Sequence, residues 1–254
     1  MNFTTKQLDK YFKEILNIEN FPGDPSQNGL QVDNDGAPVK KVAFAVDASM
    51  ETFKRAKESG ADMVFVHHGL LWGISQPLTG IYYQRIKFLM ENNIALYACH
   101  LPLDAHPELG NNASIAKKLE LIETEPFCSW RGYLIGVKGR LPEEMTPEEI
   151  LQKAFPGRKT VQGLFKFGKE KNLTVGIVSG GAAEDVYQAI DQGLDIYITG
   201  ESSHEIYHPC QENKINFLAA GHYETETGGV KNAAAKLGLD TGIETVFIDI
   251  PTNQ

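Results

Sequence analysis

Three short stretches of this chain carry the side chains able to do chemistry: His67-His68, His100 with Asp104, and His222 with Glu226. Imidazole nitrogen and carboxylate oxygen, with no thiolate required, are the donors preferred by zinc, manganese, iron and similar first-row divalent ions. Adjacent residues leaving a strand point in different directions, so a His-His pair more naturally serves two neighbouring ions than one. A carboxylate can bridge two ions through its two oxygens. Ions ~3.5–4 Å apart hold a water between them that ionises near neutral pH, and the resulting chemistry is hydrolytic. An isolated His-His pair is more simply a strand cap beside a solvent-facing ring. What overturns that reading is the recurrence of such residues at three separate strand ends.

The elements that must position them read as alternating strands and helices. Met63-Val64-Phe65-Val66 is an uninterrupted apolar run of strand length, as expected of a parallel strand covered on both faces, and Gly69 lets the backbone turn away after the histidines. Ile94 to Cys99 and Ile215 to Ala220 are runs of the same kind, each ending in polar residues. Ligands of open α/β sheets bind beyond the carboxyl ends of the strands, where these residues fall. Val42 to Val46 is a further strand, followed by Asp47-Ala48-Ser49 and a helix to about Glu58, so a parallel sheet with helices on its faces is expected. Thr4 or Thr5 caps a first helix with Leu8, Phe12, Ile15 and Leu16 at helical spacing. Phe21 to Leu30 reads as a turn-rich loop. Gly69 to Gly80 reads as an apolar loop that either walls the site or contacts another subunit. Helices are expected over Ile81 to Asn92 and Asn112 to Leu119.

Between Glu120 and Gln211 a second α/β unit is expected. Its strands are Tyr133 to Val137, Thr174 to Val178 and Asp195 to Ile198, and Thr146-Pro147 starts one of its helices. Ser179-Gly180-Gly181 is either a tight strand-to-helix turn or a loop offering backbone amides to an anion. Thr245 to Pro251 closes the chain as a strand.

Composition narrows the class. The formal net charge of -9 disfavours nucleic-acid binding, because neutralising phosphates needs a basic surface. Cys99, Cys128 and Cys210 are odd in number and form no CxxC, which fits reduced thiols. The stretch Met1 to Leu8 lacks the apolar core of a signal peptide, and no apolar run approaches membrane-spanning length. A cytoplasmic protein without a membrane partner is expected.

The same residues resemble a known family, the GTP cyclohydrolase I type 2 homologs, also called Nif-three-like or domain of unknown function 34. The resemblance is carried by Ser26-Gln27-Asn28-Gly29-Leu30-Gln31-Val32, His67-His68-Gly69-Leu70-Leu71-Trp72, His100-Leu101-Pro102-Leu103-Asp104, Ile198-Thr199-Gly200-Glu201, Gly221-His222-Tyr223-Glu224-Thr225-Glu226 and Phe247-Ile248-Asp249-Ile250-Pro251. It implies two interlinked α/β domains with a dinuclear metal site in the cleft between them, and a toroidal homohexamer. This chain is similar to the short form, without an inserted middle domain. The expected division places residues 1–124 with 213–254 in the metal-binding domain and 125–212 in the other.

Carried over by residue, the resemblance implies that His67, Asp104 and Glu226 surround one divalent ion and His68, His222 and Glu226 the other, with zinc, manganese or iron as the metal. His100 is either a residue that orients a ligand or donates a proton, or a hydrogen-bonded loop residue. Glu201, His204 and His208 are candidates to reach the cleft from the second domain, with His204 the better one for handling a substrate or proton; at helical spacing His204 and His208 more often describe a solvated face. Trp72, Tyr223 and Phe127 are candidates to stack on a base or simply to pack. The expected activity is metal-dependent hydrolysis of a small molecule, with ring opening of GTP and hydrolysis of another nucleotide or phosphoester as alternatives. No Walker-type phosphate loop is present to select a nucleotide. The non-enzymatic alternative is a metal-binding ring that stores or delivers metal or acts as a regulatory scaffold.

Overall fold

The computed structural model describes residues 3–74, 76–158 and 160–254. The first stretch of the chain forms α1 (Thr5–Leu16), β1 (Gly29–Val32), β2 (Lys41–Asp47), α2 (Met50–Glu58), β3 (Met63–His68), α3 (Gly80–Glu91), β4 (Ala95–Ala98) and α4 (Leu101–Ala105). There follow α5 (Asn111–Leu119), β5 (Ile122–Trp130), β6 (Tyr133–Met145), α6 (Pro147–Ala154), β7 (Gly163–Lys166), β8 (Asn172–Ile177), α7 (Val186–Asp191), β9 (Ile196–Thr199), α8 (Tyr207–Asn213), β10 (Asn216–Ala219), α9 (His222–Thr241) and β11 (Glu244–Phe247). The fold is mixed α/β with two sheets. Two compact units result: one runs up to Leu103 and resumes over Val230–Ile250, the other comprises Asp104–Gly229 and Pro251–Gln254. The chain passes between them within α4, within α9 and after Ile250.

The sheet of the first unit has the order β1-β4-β3-β2-β11. The strands β4, β3, β2 and β11 are parallel, as the β-α-β reading requires. Both faces of the central strands are covered, which is why their sequences are apolar without alternation. One face packs Val64, Val66, Leu96 and Ala98 with Phe53 of α2 and Leu89 of α3. The other packs Phe44, Phe65 and Tyr97 around Phe12 of α1, with ring centroids 6.4, 4.9 and 4.9 Å from Phe12. Helix α1 is held in place by a capping box between Thr4 and Gln7, and it buries Leu8, Phe12 and Leu16. Each such side chain contributes about 1.5–3 kcal/mol by leaving water. Register pairs Asp47 with His68 and Val66 with Ala98, so the carboxyl ends of β2, β3 and β4 are level. Strand β1, whose first two residues fall in the expected loop, pairs antiparallel with β4 and forms the edge.

The sheet of the second unit has the order β5-β6-β8-β9-β10-β7. Here β8, β9 and β10 are parallel, while β5, β6 and β7 pair antiparallel. Helices α5 and α6 bury Ile115, Leu119, Ile150 and Ala154 against Val175, Ile177, Ile196, Ile198 and Leu218. The capping box of α6, Thr146 with Glu149 and Pro147 behind the cap, lies where the sequence signals it.

Two features correct the sequence-based division. Strand β10, expected with the first domain through residues 213–254, pairs with β9 and β7 of the second sheet. Helix α5, expected before the boundary at residue 124, joins the core of the second unit. Apolar runs specify burial without naming a sheet, and both readings satisfy the same pattern. Among the described residues no helix is long and apolar enough to cross a membrane.

Candidate functional site

In the first unit the level strand ends bring three histidines together. His67 and His68 occupy the last two positions of β3, with ring centroids 4.6 Å apart and planes at 47°. His67 is fully buried and His68 partly so. His100 follows β4, its ring 5.1 Å from that of His67. Every ring is anchored through Nδ1: His67 to the carbonyl oxygen of Cys99 at 3.0 Å, His68 to Asp47 at 2.8 Å and His100 to Asp24 at 2.9 Å. The first two anchors lie on opposite neighbours of β3, Asp47 at the end of β2 and Cys99 just past β4.

The loops around them are fixed by side-chain amides and a carboxylate. Asn28 accepts from the His100 amide at 2.7 Å, and Asp24 accepts from that of Leu101 at 2.9 Å, seating the start of α4. Gln31 accepts from the amides of Leu70 and Leu71 at 2.7 and 3.2 Å, pinning the turn after the histidine pair. Gly69 is required there by space: a Cβ would come within 2.5 Å of Ala98 and Gln31. Trp72 donates through Nε1 to the Gly69 oxygen at 2.8 Å and sets its indole edge-on to His100, with centroids 4.9 Å apart.

The second unit contributes Asp104, His222 and Glu226. Helix α9 begins at His222, and spacing of four places Glu226 on the same face, with His222 Nε2 3.2 Å from its carboxylate. His222 Nδ1 is anchored in turn by Glu201 at 2.5 Å. Asp104 and Glu226 are both buried, with oxygens within 4.8 Å of one another. Asp104 accepts from Asn111 at 2.8 Å and from Ser179 at 2.9 Å. Asn111 also accepts from the Gly229 amide at 2.7 Å, tying this carboxylate to α9.

Three strand-end glycines make the approach possible. The amide of Gly200 donates to Gly180 O and that of Gly221 to Gly200 O, each at 2.9 Å, stacking the turns after β8, β9 and β10. A Cβ on Gly180 would strike the Glu226 carboxylate, and one on Gly200 would lie 2.6 Å from His222 Cα. The Ser179-Gly180-Gly181 stretch is therefore a close-approach turn, with the Gly180 amide donating to Thr225 at 3.0 Å.

These residues fit a first-row divalent ion. Four imidazoles have Nδ1 engaged, which fixes ring orientation and directs Nε2 outward, the arrangement typical of metal-ligating histidine. Burying two carboxylates within 4.8 Å of each other is costly unless positive charge accompanies them. Burial works against a charged His222, but Glu226 and Glu201 outweigh it and push its pKa up to about 9. A proton on His222 would supply part of that charge, and a cation bound there would have to replace it.

The expected residues divide clearly by position. His67, His68 and His100 cluster in one unit, and Asp104, His222 and Glu226 in the other. His204 is exposed, precedes α8 and joins no cluster of ligating groups among the described residues. Tyr223 and Phe127 are buried packing residues, whereas Trp72 borders the histidines. Sequence reasoning missed Asp24 and Asp47 as anchors and named Glu201 as a candidate without its link to His222. Asp47 had a signal, since it ends the strand before the histidine strand; Asp24 had none, lying 76 residues from His100.

Comparison with known proteins places these residues in a family context. The sequence model of the Duf34/NIF3 family (NGG1p interacting factor 3) matches residues 3–254. A Treponema pallidum (strain Nichols) protein named GTP cyclohydrolase 1 type 2 homolog is 43% identical, over 99% of this chain and 100% of its own. One of the same name from Archaeoglobus fulgidus is 44% identical, over 97% of this chain and 98% of its own. Among solved structures, TTHA1606 from Thermus thermophilus superposes with a TM-score of 0.88 at 38% identity, covering 99% of this chain and 100% of the other. Reduced HcgD from Methanocaldococcus jannaschii gives 0.82 at 26% identity, covering 98% and 99%.

Proposed function

The chain belongs to the Duf34/NIF3 family, and from that premise we propose that it binds a pair of first-row divalent ions and hydrolyses a small molecule with them. His67, Asp104 and Glu226 would hold one ion and His68, His222 and Glu226 the other. The observation that carries this reading is the anchoring of His67, His68 and His222 through Nδ1, because it commits each ring to present Nε2. Zinc, manganese and iron all suit this mixture of imidazole and carboxylate.

Bound ions of this kind supply Lewis acidity and water ionised near neutral pH. The chain's own residues do the rest. Asn111 and Ser179 hold Asp104 in one orientation, and Glu201 holds His222. His100, whose Nδ1 is engaged by Asp24, is the group we assign to move a proton at Nε2. His204 has no such placement, and a role for it requires substrate to reach out to it. Trp72 offers an indole next to His100 against which a planar substrate would lie.

The names of the 43% and 44% identical relatives support opening the guanine ring of GTP as the first substrate to test. Other nucleotides and phosphoesters follow, since no phosphate loop selects among them. We assign a ring of six copies and a cytoplasmic location to the same reading. The deciding experiment loads the protein with each of the three metals and follows GTP and a panel of nucleotides and phosphoesters, beside Glu226→Ala. Turnover that depends on metal and is lost in a folded Glu226→Ala chain supports the hydrolase. Exchangeable metal without turnover of any compound would instead support a metal carrier.

A further inference from the structure

The first unit holds three imidazoles within itself, one more than the two ligands expected of it. One ring nitrogen from each of His67, His68 and His100 lies within 4.8 Å of the others. Their ring centroids are 4.6, 5.1 and 5.8 Å apart. Because Cys99, Asp47 and Asp24 engage all three Nδ1 atoms, the nitrogen each ring offers is Nε2.

Asp24 makes a separate point. Its side chain is fully buried, with 0% exposure. One oxygen accepts from His100 Nδ1 at 2.9 Å and from the Ser26 amide at 2.9 Å; the other accepts from Asn28 at 2.8 Å and the Leu101 amide at 2.9 Å. A carboxylate that engages the Nδ1 of an imidazole orients the ring and raises its basicity, as the more exposed Asp47 does for His68. His100 is therefore prepared in the same way as the ligands beside it.

We infer that His67, His68 and His100 form a mononuclear site of their own for zinc or a similar first-row divalent ion, independent of Asp104, His222 and Glu226. The inference rests on the proposed function for the ligand roles of His67 and His68, and adds His100 to them. Three imidazoles with an open fourth position are a recognised zinc ligand set. Neutral nitrogen donors also discriminate against magnesium and calcium, which take oxygen. With a single ion His100 would serve as a ligand; its role in proton transfer would belong to the two-ion state.

The test uses the full chain carrying Asp104→Ala, His222→Ala and Glu226→Ala together, titrated with zinc against a colorimetric chelator, with circular dichroism to verify folding. One ion per chain is expected. Adding His100→Ala abolishes it, Asp24→Asn weakens it by about 10–100-fold, and His204→Ala leaves it unchanged. A folded triple variant that binds no zinc, or binding indifferent to His100→Ala, overturns the inference. If the triple variant does not fold, cobalt added below one equivalent to the wild-type chain decides: His100→Ala must alter the visible spectrum, and an unaltered spectrum overturns the site. Two ions in the wild type with none in the folded triple variant would sink this site and leave the dinuclear reading standing. One ion in both would do the reverse.

Discussion

His67 and His68 are adjacent in the chain, yet their Nδ1 atoms are held from opposite sides of β3, His67 by Cys99 O at 3.0 Å and His68 by Asp47 at 2.8 Å. The two rings leave the end of β3 with centroids 4.6 Å apart, and the neighbouring strands fix each where it lands. If the two rings serve different ions, His67→Ala and His68→Ala each remove about one ion per chain and leave the other. Elemental analysis of the two variants checks this, and loss of both ions from either would show that the sites do not fill separately.

The anchors themselves are testable apart from the ligands. Asp47→Asn and Glu201→Gln keep size and hydrogen-bonding capacity but remove the negative charge facing Nδ1 of His68 and His222. Each weakens metal binding by about 10–100-fold. Competition with a chelator measures the change, and unfolding midpoints without metal separate it from a general loss of structure.

Gly180 couples backbone to chemistry. Its φ of +73° already favours glycine, and a Cβ there would meet the Glu226 carboxylate. Gly180→Ala is expected to cost about 1–3 kcal/mol of stability and to impair metal binding as Glu226 is displaced. Urea unfolding together with metal titration reads both effects. Gly193→Ala, at a similar φ but with open space around it, reports the backbone contribution alone.

Acid stability has an identifiable contributor away from the candidate ligands. Burial alone would raise the Asp195 pKa, but Lys169 at 2.7 Å and the amides of Thr174 and Leu173 outweigh it and hold the carboxyl below its usual value. A carboxylate with a lowered folded pKa contributes stability above its unfolded pKa and loses it as pH falls through the folded value. The wild type therefore loses this contribution below about pH 4, and Asp195→Asn removes that part of the acid slope. Unfolding midpoints across the acid range, compared between the two proteins, measure it.

What could be read from sequence follows from what each element had to bury. Apolar runs ending in His67-His68, His100 and Gly221-His222 announced strands with polar ends, because parallel strands covered on both faces cannot alternate. That α9 already begins at His222, so that a spacing of four puts Glu226 on the same face, was not read, because both residues were expected at a strand end. Strand β5, the hairpin partner of the expected β6, was not read either, because its first five residues are exposed and include Glu123, Glu125 and Pro126. Nor could the sheet of β10 be read, since Asn216–Ala219 would be buried in either. The anchors were hidden for another reason: Asp24 reaches His100 across 76 residues and Glu201 reaches His222 across 21, with no local periodicity to mark them.

Metal content per chain tests the central claim most directly. The protein would be purified without chelator or nickel affinity, then measured by elemental analysis as isolated and after reconstitution with zinc, manganese and iron. The account predicts about two ions per chain, with fewer in Glu226→Ala. A folded wild-type chain that stays empty with all three metals would contradict it, and the histidine pair at the end of β3 would then be a strand cap and a solvent-facing ring.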